Sequence, residues 1–217
     1  MRLHSPTLFL SFLIISLNDT GLTSNKIISS LSKYLEENDN YIITTGVGSH
    51  QMVVAQYFNH RYPNRLLTSG SLGTMGVGLP FAIGAQIANP NSTVILIDGD
   101  GSFTMSSNDL ATLKEYNLPI KIFLMNDNKL NMVDMWQDLF YEGRKIASNF
   151  GYDISYNKLM DAYDIKNSKI DKVSDIDEVV KQSLEYDGTT FVNCKIDKSI
   201  CLPFVPNNTP LDKMILH

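Results

Sequence analysis

Two short stretches, one from Thr93 to Phe103 and the other from Ile120 to Asn128, constrain the fold of this chain more than any other feature. They read TVILIDGDGSF and IKIFLMNDN. Both begin with apolar runs too continuous to alternate, a pattern typical of parallel strands that are buried on both faces. Each run then breaks at glycine or small polar residues, and such strand ends form the ligand crevice of an open α/β sheet. The two stretches therefore predict neighbouring parallel strands with a site at their carboxyl ends.

Asp100 and Asp127 follow these two strands and lie 27 positions apart. Between them, residues 106–116 have the pattern of a helix, and Pro119 marks the return of the chain. This separation fits one strand-helix-strand crossover, which would place the two carboxyl-bearing turns side by side. Carboxylate oxygens close to the N–H groups of glycines suit a hard cation that bridges to a phosphate. We therefore expect a site for a metal and a phosphate here.

Composition bounds the number of domains and excludes some classes of partner. A chain of 217 residues corresponds to one domain. Its net charge of −5 and its scattered lysines give no basic surface for nucleic acid, and no apolar run is long enough to span a membrane. Cys194 and Cys201 form neither a disulfide framework nor a zinc site, because no histidine or further cysteine accompanies them. Free thiols favour a reducing compartment, and we expect a cytoplasmic protein.

The first nineteen residues form an apolar extension. The run Leu8–Leu17 follows Arg2 and His4 and resembles the core of a signal peptide, although no small-residue cleavage site follows it. A buried strand, or a remnant of upstream sequence, is the preferred interpretation over a targeting segment. We assign residues 1–19 to this extension and residues 20–217 to the domain.

A glycine turn joins an earlier strand to a helix. Tyr41–Thr45 reads as a short buried strand, and Gly46–His50 leads from it into a helix. The first N–H groups of a helix are unpaired and its dipole is positive there, so Ser49 and His50 mark a candidate anion site. A plain tight turn is the alternative interpretation.

The loop from Thr68 to Pro80 is rich in glycine. It holds four glycines, at positions 70, 73, 76 and 78, which implies backbone that approaches another group closely or adopts a positive φ. Met75 lies between these glycines and is placed either to fill the core or to support a ligand. A helix of small residues is predicted over Phe81–Ala88.

A helix is also predicted to begin near Lys129, after the second central strand. It carries Met132, Met135 and Trp136, the one tryptophan of the chain. Methionine and aromatic residues at helical spacing usually belong to a core. Because these residues open a helix at the mouth of the predicted crevice, a role facing the substrate is an equal alternative.

The remaining segments complete the pattern of the fold. Helices are predicted from Ser24 to about Glu37, over residues 155–163 and over residues 176–186, with a last strand over 189–196 and an extended arm over 202–206. The alternation of strands and helices predicts an α/β domain with a doubly wound parallel sheet and helices on both faces.

Several motifs follow one another in an order that one family shares. They are TTGVGSHQM (44–52), SGSLGTMG (69–76), GLP (78–80), ILIDGDGS (95–102), MV (132–133) with WQ (136–137), LFY (139–141) and LPFV (202–205). The run that ends in Gly-Asp-Gly resembles the thiamine-diphosphate signature. The whole set resembles the C-terminal, thiamine-diphosphate-binding domain of the catalytic subunit of acetolactate (acetohydroxyacid) synthase. The likeness extends from about Leu22 to the C-terminus.

The resemblance implies roles at the metal and at the diphosphate. Asp100 would bind Mg²⁺ through its side chain, Asp127 would stand at the second ligand position, and Lys129 would offer its backbone carbonyl. The residues that would bind the diphosphate are Gly48, Ser49, His50, Gly101 and Ser102.

The resemblance also implies contacts to the rest of the cofactor and to the substrate. The carbonyl of Gly73 would accept from the 4′-amino group of the cofactor, and Met75 would hold the cofactor bent. Met132 would pack on the cofactor, and Trp136 would line the pocket that selects the second keto acid. The implied reaction is decarboxylation of pyruvate and carboligation to a 2-keto acid, as in branched-chain amino acid biosynthesis, with thiamine diphosphate and Mg²⁺ as cofactors.

The chain departs from the family pattern at three positions. Asp127 replaces the second residue of an asparagine pair, Asn131 replaces a glycine, and Ser49 replaces a glutamine. Asp127 adds negative charge beside the expected diphosphate. We therefore expect that the metal is held more tightly and that cofactor binding depends more strongly on it.

A second chain is expected to complete the site. In the family, an N-terminal domain of another subunit supplies an activating glutamate, and a middle domain binds FAD. The 217 residues contain no counterpart of either domain. We therefore assign no catalytic residue. We expect a homo- or hetero-oligomer with a pyrimidine-binding half. A non-catalytic cofactor-binding module or a truncated fragment is the alternative. An unrelated flavodoxin-like or nicotinamide-binding α/β domain is disfavoured, because Gly46-Val-Gly48 lacks the third glycine of the dinucleotide fingerprint.

Overall fold

The computed structural model describes residues 20–197, and these form a parallel sheet covered by helices. The strands are β1 (Tyr41–Thr45), β2 (Leu66–Leu67), β3 (Thr93–Gly99), β4 (Lys121–Asn126), β5 (Lys166–Ile170) and β6 (Thr190–Lys195). All the strand pairings are parallel, and the order across the sheet is β2-β1-β3-β4-β6-β5. The predicted N-terminal extension, Cys201 and the predicted arm at 202–206 lie outside the described residues.

Helices lie on both faces of this sheet. They are α1 (Ser24–Tyr34), α2 (Ser49–Tyr57), α3 (Gly78–Ala88), α4 (Asp100–Thr104), α5 (Leu110–Glu115), α6 (Asn131–Phe140), α7 (Tyr156–Ala162) and α8 (Ile176–Glu185), with 3-10 turns at Gly70–Leu72, Ser107–Asp109 and Val173–Asp175. The predicted doubly wound α/β sheet is confirmed. None of the helices within residues 20–197 has the length and apolar character needed to cross a membrane.

Two separate cores account for the continuous apolar runs that the sequence shows. Along β3, Ile95 and Ile97 pack in a core with α1, α2 and α8. The alternate residues Val94 and Leu96 pack in the other core, with α3, α5 and α7. Because successive side chains of a strand point to opposite faces, a strand buried on both faces needs apolar residues at every position.

The observed helices differ from the prediction in three places. The segment predicted as one helix over 106–116 forms a 3-10 turn at Ser107–Asp109 and then the shorter helix α5, and the helix α4 precedes it at Asp100–Thr104. Helix α3 begins at Gly78 rather than Phe81, since Pro80 falls in its first turn, where proline is tolerated. Helix α1 ends at Tyr34, and Thr23 takes the N-cap position without a side-chain capping hydrogen bond.

The strand order places a crevice at the middle of the sheet. From β1 the chain crosses to β2 on one side, whereas from β3 it crosses to β4 on the other side. The order therefore reverses between β1 and β3, and the carboxyl ends of these strands are where open α/β sheets bind ligands.

Candidate functional site

A cleft that is open at its mouth lies at the carboxyl ends of β1, β3 and β4. Its lining residues are Val47, Gly48, Ser49, His50, Met75, Gly99, Asp100, Gly101, Ser102, Met125, Asp127, Lys129, Leu130, Asn131, Met132, Val133 and Ile196. Residues 46–50, which follow β1, and residues 99–102, which begin at the last residue of β3, are called the glycine wall. Residues 127–136, which follow β4, are called the helix wall.

The glycine wall is packed around the buried side chain of Asp98. A Cβ atom at Gly46 would overlap with Asp98 Oδ1 and Ser102 Oγ, and one at Gly78 would lie 2.6 Å from Asp98 Oδ2. Ser102 Oγ accepts a hydrogen bond from the N–H of Gly76 at 3.0 Å. Glycine is therefore required at position 46 because the side chains of Asp98 and Ser102 lie against its backbone, and not because of a positive φ.

His50 is fixed within this wall. Its side chain is buried, and its ring lies so close to Gly99 that a Cβ atom there would be 2.8 Å from Nδ1. Nε2 lies 3.2 Å from Asp98 Oδ1, within ion-pair distance but without the alignment of a hydrogen bond. Asp98 Oδ2 has no hydrogen-bond partner within residues 20–197. His50 therefore faces the cleft from a fully packed position.

Asp100 and Asp127 meet across the cleft, one on each wall. Asp100 is 2% exposed, and its carboxylate accepts from the N–H groups of Gly101 at 2.8 Å and Asn128 at 2.7 Å. Burial, followed by the charge of Asp127, raises the pKa of Asp100 from 3.8 to about 7. Burial also raises the pKa of Asp127 to about 6. Two neighbouring carboxylates that resist ionisation form a place where a cation is favourable.

The helix wall supplies two more groups beside these carboxylates. Asn131, the first residue of α6, donates a hydrogen bond from Nδ2 to Oδ2 of Asp127. Lys129 forms a bridge with Asn149, flanked by hydrogen bonds from Leu130 N–H to the Ser148 carbonyl and from Phe150 N–H to the carbonyl of Asn128. No backbone donor within residues 20–197 reaches the Lys129 carbonyl, so that oxygen is available to a ligand.

Gly101 marks where the two walls approach one another. A Cβ atom at Gly101 would lie 2.7 Å from Leu130 Cδ2, 3.2 Å from Phe150 Cζ and 3.7 Å from Met75 Cε. A side chain at position 101 would therefore collide with the opposite wall, which accounts for glycine in the middle of Asp100-Gly101-Ser102.

The loop at residues 142–150 is tied to the helix wall by polar side chains. Asp134 is 8% exposed and pairs with Lys145 at 3.0 Å and Lys129 at 3.4 Å, while Ser148 Oγ donates to it at 3.2 Å. Burial acts to raise the pKa of Asp134, but the two lysines and Ser148 outweigh it and hold the pKa below its usual range. Gln137 adds two hydrogen bonds to the backbone of Ile146.

The donor set suits a magnesium-diphosphate group. Within residues 20–197, no cluster of three or more His, Cys, Asp or Glu side chains could hold a metal alone. Mg²⁺ in phosphate sites takes one or two carboxylates and completes its shell with phosphate oxygens and water. Asp100, Asp127 and the Lys129 carbonyl are such a partial set. Helices α2 and α6 both begin in the cleft, where their first N–H groups favour an anion.

The structure brings most of the predicted site residues to this one cleft. Gly48, Ser49, His50, Met75, Asp100, Gly101, Ser102, Asp127, Lys129 and Met132 all line it. Two predicted residues do not. Gly73 is exposed, with a φ of 58°, at the end of a 3-10 turn, and Trp136 is 46% exposed on α6. Both residues are on the surface and near the cleft in sequence. Gly73 comes two residues before the lining residue Met75, and Trp136 comes four residues after the lining residue Met132.

Sequence reasoning missed several residues that build the site. Leu130, Val133 and Asp98 were not singled out. Leu130 and Val133 could have been found from their spacing of three at the start of α6, which places them on one helix face. Asp98 precedes Asp100 in the same motif, and no pattern in the sequence distinguishes the buried aspartate from the one in the cleft. The glutamates of the described residues are all exposed and none lines the cleft; they are Glu36, Glu37, Glu115, Glu142, Glu178 and Glu185.

Comparison with protein families gives a match that covers this cleft. The family model for "Thiamine pyrophosphate enzyme, C-terminal TPP binding domain" matches residues 46–194. That range begins at the glycine wall, includes the helix wall and ends within β6.

Comparison with curated proteins gives relatives of much greater length. The chain is 39% identical over 205 residues to a probable acetolactate synthase large subunit of Methanococcus aeolicus, covering 93% of this chain and 34% of the relative. It is 40% identical over 194 residues to the mitochondrial acetolactate synthase of Schizosaccharomyces pombe, covering 88% of this chain and 29% of the relative. It is 43% identical over 178 residues to the acetolactate synthase large subunit of Lactococcus lactis, covering 81% of this chain and 31% of the relative. The chain thus spans about a third of the length of these relatives.

Proposed function

Because the chain belongs to the family of C-terminal TPP-binding domains of thiamine pyrophosphate enzymes, we propose that its cleft binds the diphosphate end of thiamine diphosphate through Mg²⁺. Asp100 and Asp127 would be the side-chain ligands of the metal, and the carbonyl of Lys129 would be a third protein ligand.

The observation that carries this proposal is the placement of Asp100 and Asp127. They follow adjacent strands and lie in one cleft, and the charge of Asp127 helps to raise the pKa of Asp100 to about 7. A divalent cation would remove this repulsion and would favour the ionised form of both groups. The N–H groups at the start of α2, near Gly48, Ser49 and His50, would bind the phosphate oxygens that the cation brings with it.

Each side chain of the cleft has a positioning role in this proposal. Bound thiamine diphosphate supplies the carbon nucleophile for a keto acid, and the protein supplies orientation and charge placement. Gly101 and Ser102 would donate to the diphosphate from the glycine wall. Met75 and Met132, which both line the cleft, would contact the cofactor, and the carbonyl of Gly73 would accept from the amino group of its pyrimidine.

We further propose that the whole protein acts in an acetolactate synthase-like reaction, in which pyruvate is decarboxylated and joined to a 2-keto acid. This rests on the relatives named as acetolactate synthases. Trp136 would take part in selecting the second keto acid. A separate polypeptide region, from a second copy or another chain, would supply the glutamate and the pyrimidine-binding half.

A non-catalytic cofactor-binding module is the second candidate. All glutamates in residues 20–197 are exposed and none lines the cleft, so these residues by themselves would bind the cofactor without supplying an activating glutamate. The two candidates differ in one result. An enzyme half-site gains acetolactate formation when the missing half is added, whereas a binding module retains cofactor binding and gains none.

Calorimetric titration of thiamine diphosphate, with and without Mg²⁺, tests the proposed binding. We expect binding that requires Mg²⁺ and that weakens at least about 100-fold in Asp100→Ala, because a direct metal ligand is lost. Asp171→Ala is the matched control, since it removes the same charge from an exposed residue at the edge of the sheet and should leave affinity unchanged. Binding of equal affinity with and without Mg²⁺ would contradict the proposal.

A further inference from the structure

Asp127 and Asn131, two of the residues that depart from the family pattern, are joined to each other. Asn131 lies four residues after Asp127, at the first position of α6, and its Nδ2 donates to Oδ2 of Asp127. Both side chains belong to the helix wall and line the cleft. One carboxylate oxygen of Asp127 is therefore engaged by a neutral side chain, in addition to the backbone N–H groups of Lys129 and of Asp127 itself that act on the same carboxylate.

Helix capping does not explain why asparagine stands at position 131. A capping asparagine accepts a hydrogen bond through its side-chain oxygen from an N–H of the first turn. Here Leu130 takes the N-cap position, and Oδ1 of Asn131 is buried without a hydrogen-bond partner in the described part of the chain. The bond that Asn131 does make is to the carboxylate at the metal position.

The number of oxygens that a carboxylate presents matters differently to different cations. Mg²⁺ is small and requires near-octahedral geometry, whereas Ca²⁺ accepts six to eight oxygens and binds carboxylates through one oxygen or both. An aspartate that is free to turn can present both oxygens. An aspartate whose Oδ2 accepts from Asn131 is held in one orientation, which favours binding of a cation through Oδ1, as through the single oxygen of an asparagine amide.

We propose that Asn131 is a positioning residue that holds Asp127 to one oxygen toward the cation and thereby sets a preference for Mg²⁺ over Ca²⁺. The proposal rests on the proposed function, because it takes Asp127 to be a ligand of the cofactor's metal. It extends that function by assigning the selectivity of the site to a residue that does not itself touch the metal.

The test is a set of calorimetric titrations with Mg²⁺ or Ca²⁺ in the presence of thiamine diphosphate. In Asn131→Ala we expect affinity for Mg²⁺ to fall about tenfold, as is typical when a partner of a metal ligand is lost, and affinity for Ca²⁺ to fall by less than about threefold. The Mg²⁺/Ca²⁺ affinity ratio should therefore fall. Asn131→Leu, which keeps a similar shape without the donor, should give the same change and serves as a second variant if Asn131→Ala folds poorly.

The decisive test is to make the Asn131→Ala substitution in protein that already carries Asp127→Asn. An amide has one oxygen and cannot bind a cation through two, so adding Asn131→Ala to Asp127→Asn should change the Mg²⁺/Ca²⁺ ratio by less than about twofold. Asn108→Ala, at an exposed asparagine outside the cleft, should leave the ratio at its wild-type value.

The outcomes separate this inference from the proposed function. Wild-type protein that binds thiamine diphosphate with Mg²⁺, together with an unchanged ratio in both Asn131 variants, would overturn the inference alone. An equal fall of the ratio in the Asp127→Asn background would also overturn it, because the effect would not depend on a second carboxylate oxygen. Wild-type protein that binds the cofactor without regard to metal would overturn the proposed function and the inference with it.

Discussion

The two walls of the cleft are held in place by different forces. In the glycine wall, Gly46, Ser102 and His50 are packed so closely around Asp98 that there is no room for another carbon atom at position 46. In the helix wall, hydrogen bonds and ion pairs position the side chains, and Val133 and Trp136 remain more than 40% exposed. One wall is fixed by steric contact and the other by polar contacts at the surface.

This difference indicates which properties of the site can be adjusted. Steric contact leaves the wall that faces the expected diphosphate little freedom to move or vary. Polar contacts can be exchanged one at a time at moderate cost in stability, so the wall that faces the expected metal and substrate is where selectivity can change. Asp127 and Asn131, two of the three residues that the resemblance predicts to depart from the family pattern, lie in the helix wall.

The largest effect is expected from a methyl group in the glycine wall. Gly46→Ala would force its Cβ against Asp98 Oδ1 and Ser102 Oγ, and such overpacking should lower the free energy of unfolding by about 3 kcal/mol. Urea denaturation measures this change. Gly84→Ala is the control, because its Cβ meets open space on α3 and alanine favours a helix by about 0.5–1 kcal/mol. Equal stability of Gly46→Ala and wild type would show that the glycine wall has room for a methyl group at position 46.

The dependence of stability on pH tests the interaction between the carboxylates of Asp100 and Asp127, which belong to opposite walls. Since the folded pKa of Asp100 is raised to about 7, the folded state holds a proton that the unfolded state has lost above about pH 4. Stability in the presence of a chelator should therefore fall as pH rises, by about 2 kcal/mol between about pH 5 and pH 7.

Thermal unfolding at a series of pH values measures this dependence. Asp127→Asn should make this dependence shallower without removing it, because burial raises the pKa of Asp100 more than the charge of Asp127 does. Mg²⁺ with thiamine diphosphate should reverse the dependence by favouring the ionised pair. Stability that rises over the same pH range in chelator would contradict the assignment of a raised pKa to Asp100.

A smaller effect is expected where polar contacts hold the helix wall. Asp134→Ala leaves Lys129 and Lys145 without their shared carboxylate, and because water can reach both lysines we expect a loss of about 1 kcal/mol. Asp138→Ala, which removes the more exposed partner of Lys145, should cost less than about 0.5 kcal/mol. Urea denaturation of the pair gives the comparison. A loss from Asp134→Ala as large as that from Gly46→Ala would remove the distinction between the walls.

The smallest effect is expected at Trp136. Its side chain is 46% exposed and does not line the cleft, so Trp136→Leu should change stability by less than about 0.5 kcal/mol. Mg²⁺-dependent binding of thiamine diphosphate should stay within about twofold of wild type. If the binding weakens more than that, Trp136 contacts the cofactor rather than the second keto acid.

Most of the sheet could be predicted from the sequence because its strands are buried on both faces. The apolar run of β3 and the turn after it gave both the strand and the position of Asp100. Strand β5, with the sequence KNSKI, was not predicted, because it lies at the edge of the sheet and is largely polar. Strand β2 has two residues and was also missed.

The residues of the site likewise fall into those that the sequence could predict and those that it could not. Spacing along the chain was enough to place Asp100 and Asp127 on neighbouring turns. Spacing could not show that Asn131 binds Asp127, or that Lys145 returns from a loop to pair with Asp134, since these contacts depend on side-chain directions. The placement of Asp98 beneath the glycine wall depends on three turns that meet in space, from β1, from β3 and from the start of α3.

The mutual packing of Gly46, Gly78, Asp98 and Ser102 limits the routes by which this sequence can diverge. A side chain at Gly46 would need the space that Asp98 and Ser102 occupy, and one at Gly78 would need the space of Asp98, so a larger residue at either glycine requires further substitutions in the same gene at once. Residues of the helix wall face no such requirement, and single substitutions there survive long enough to be selected. Lineages of this domain should therefore accumulate their differences on one side of a common cleft while the other side is inherited unchanged.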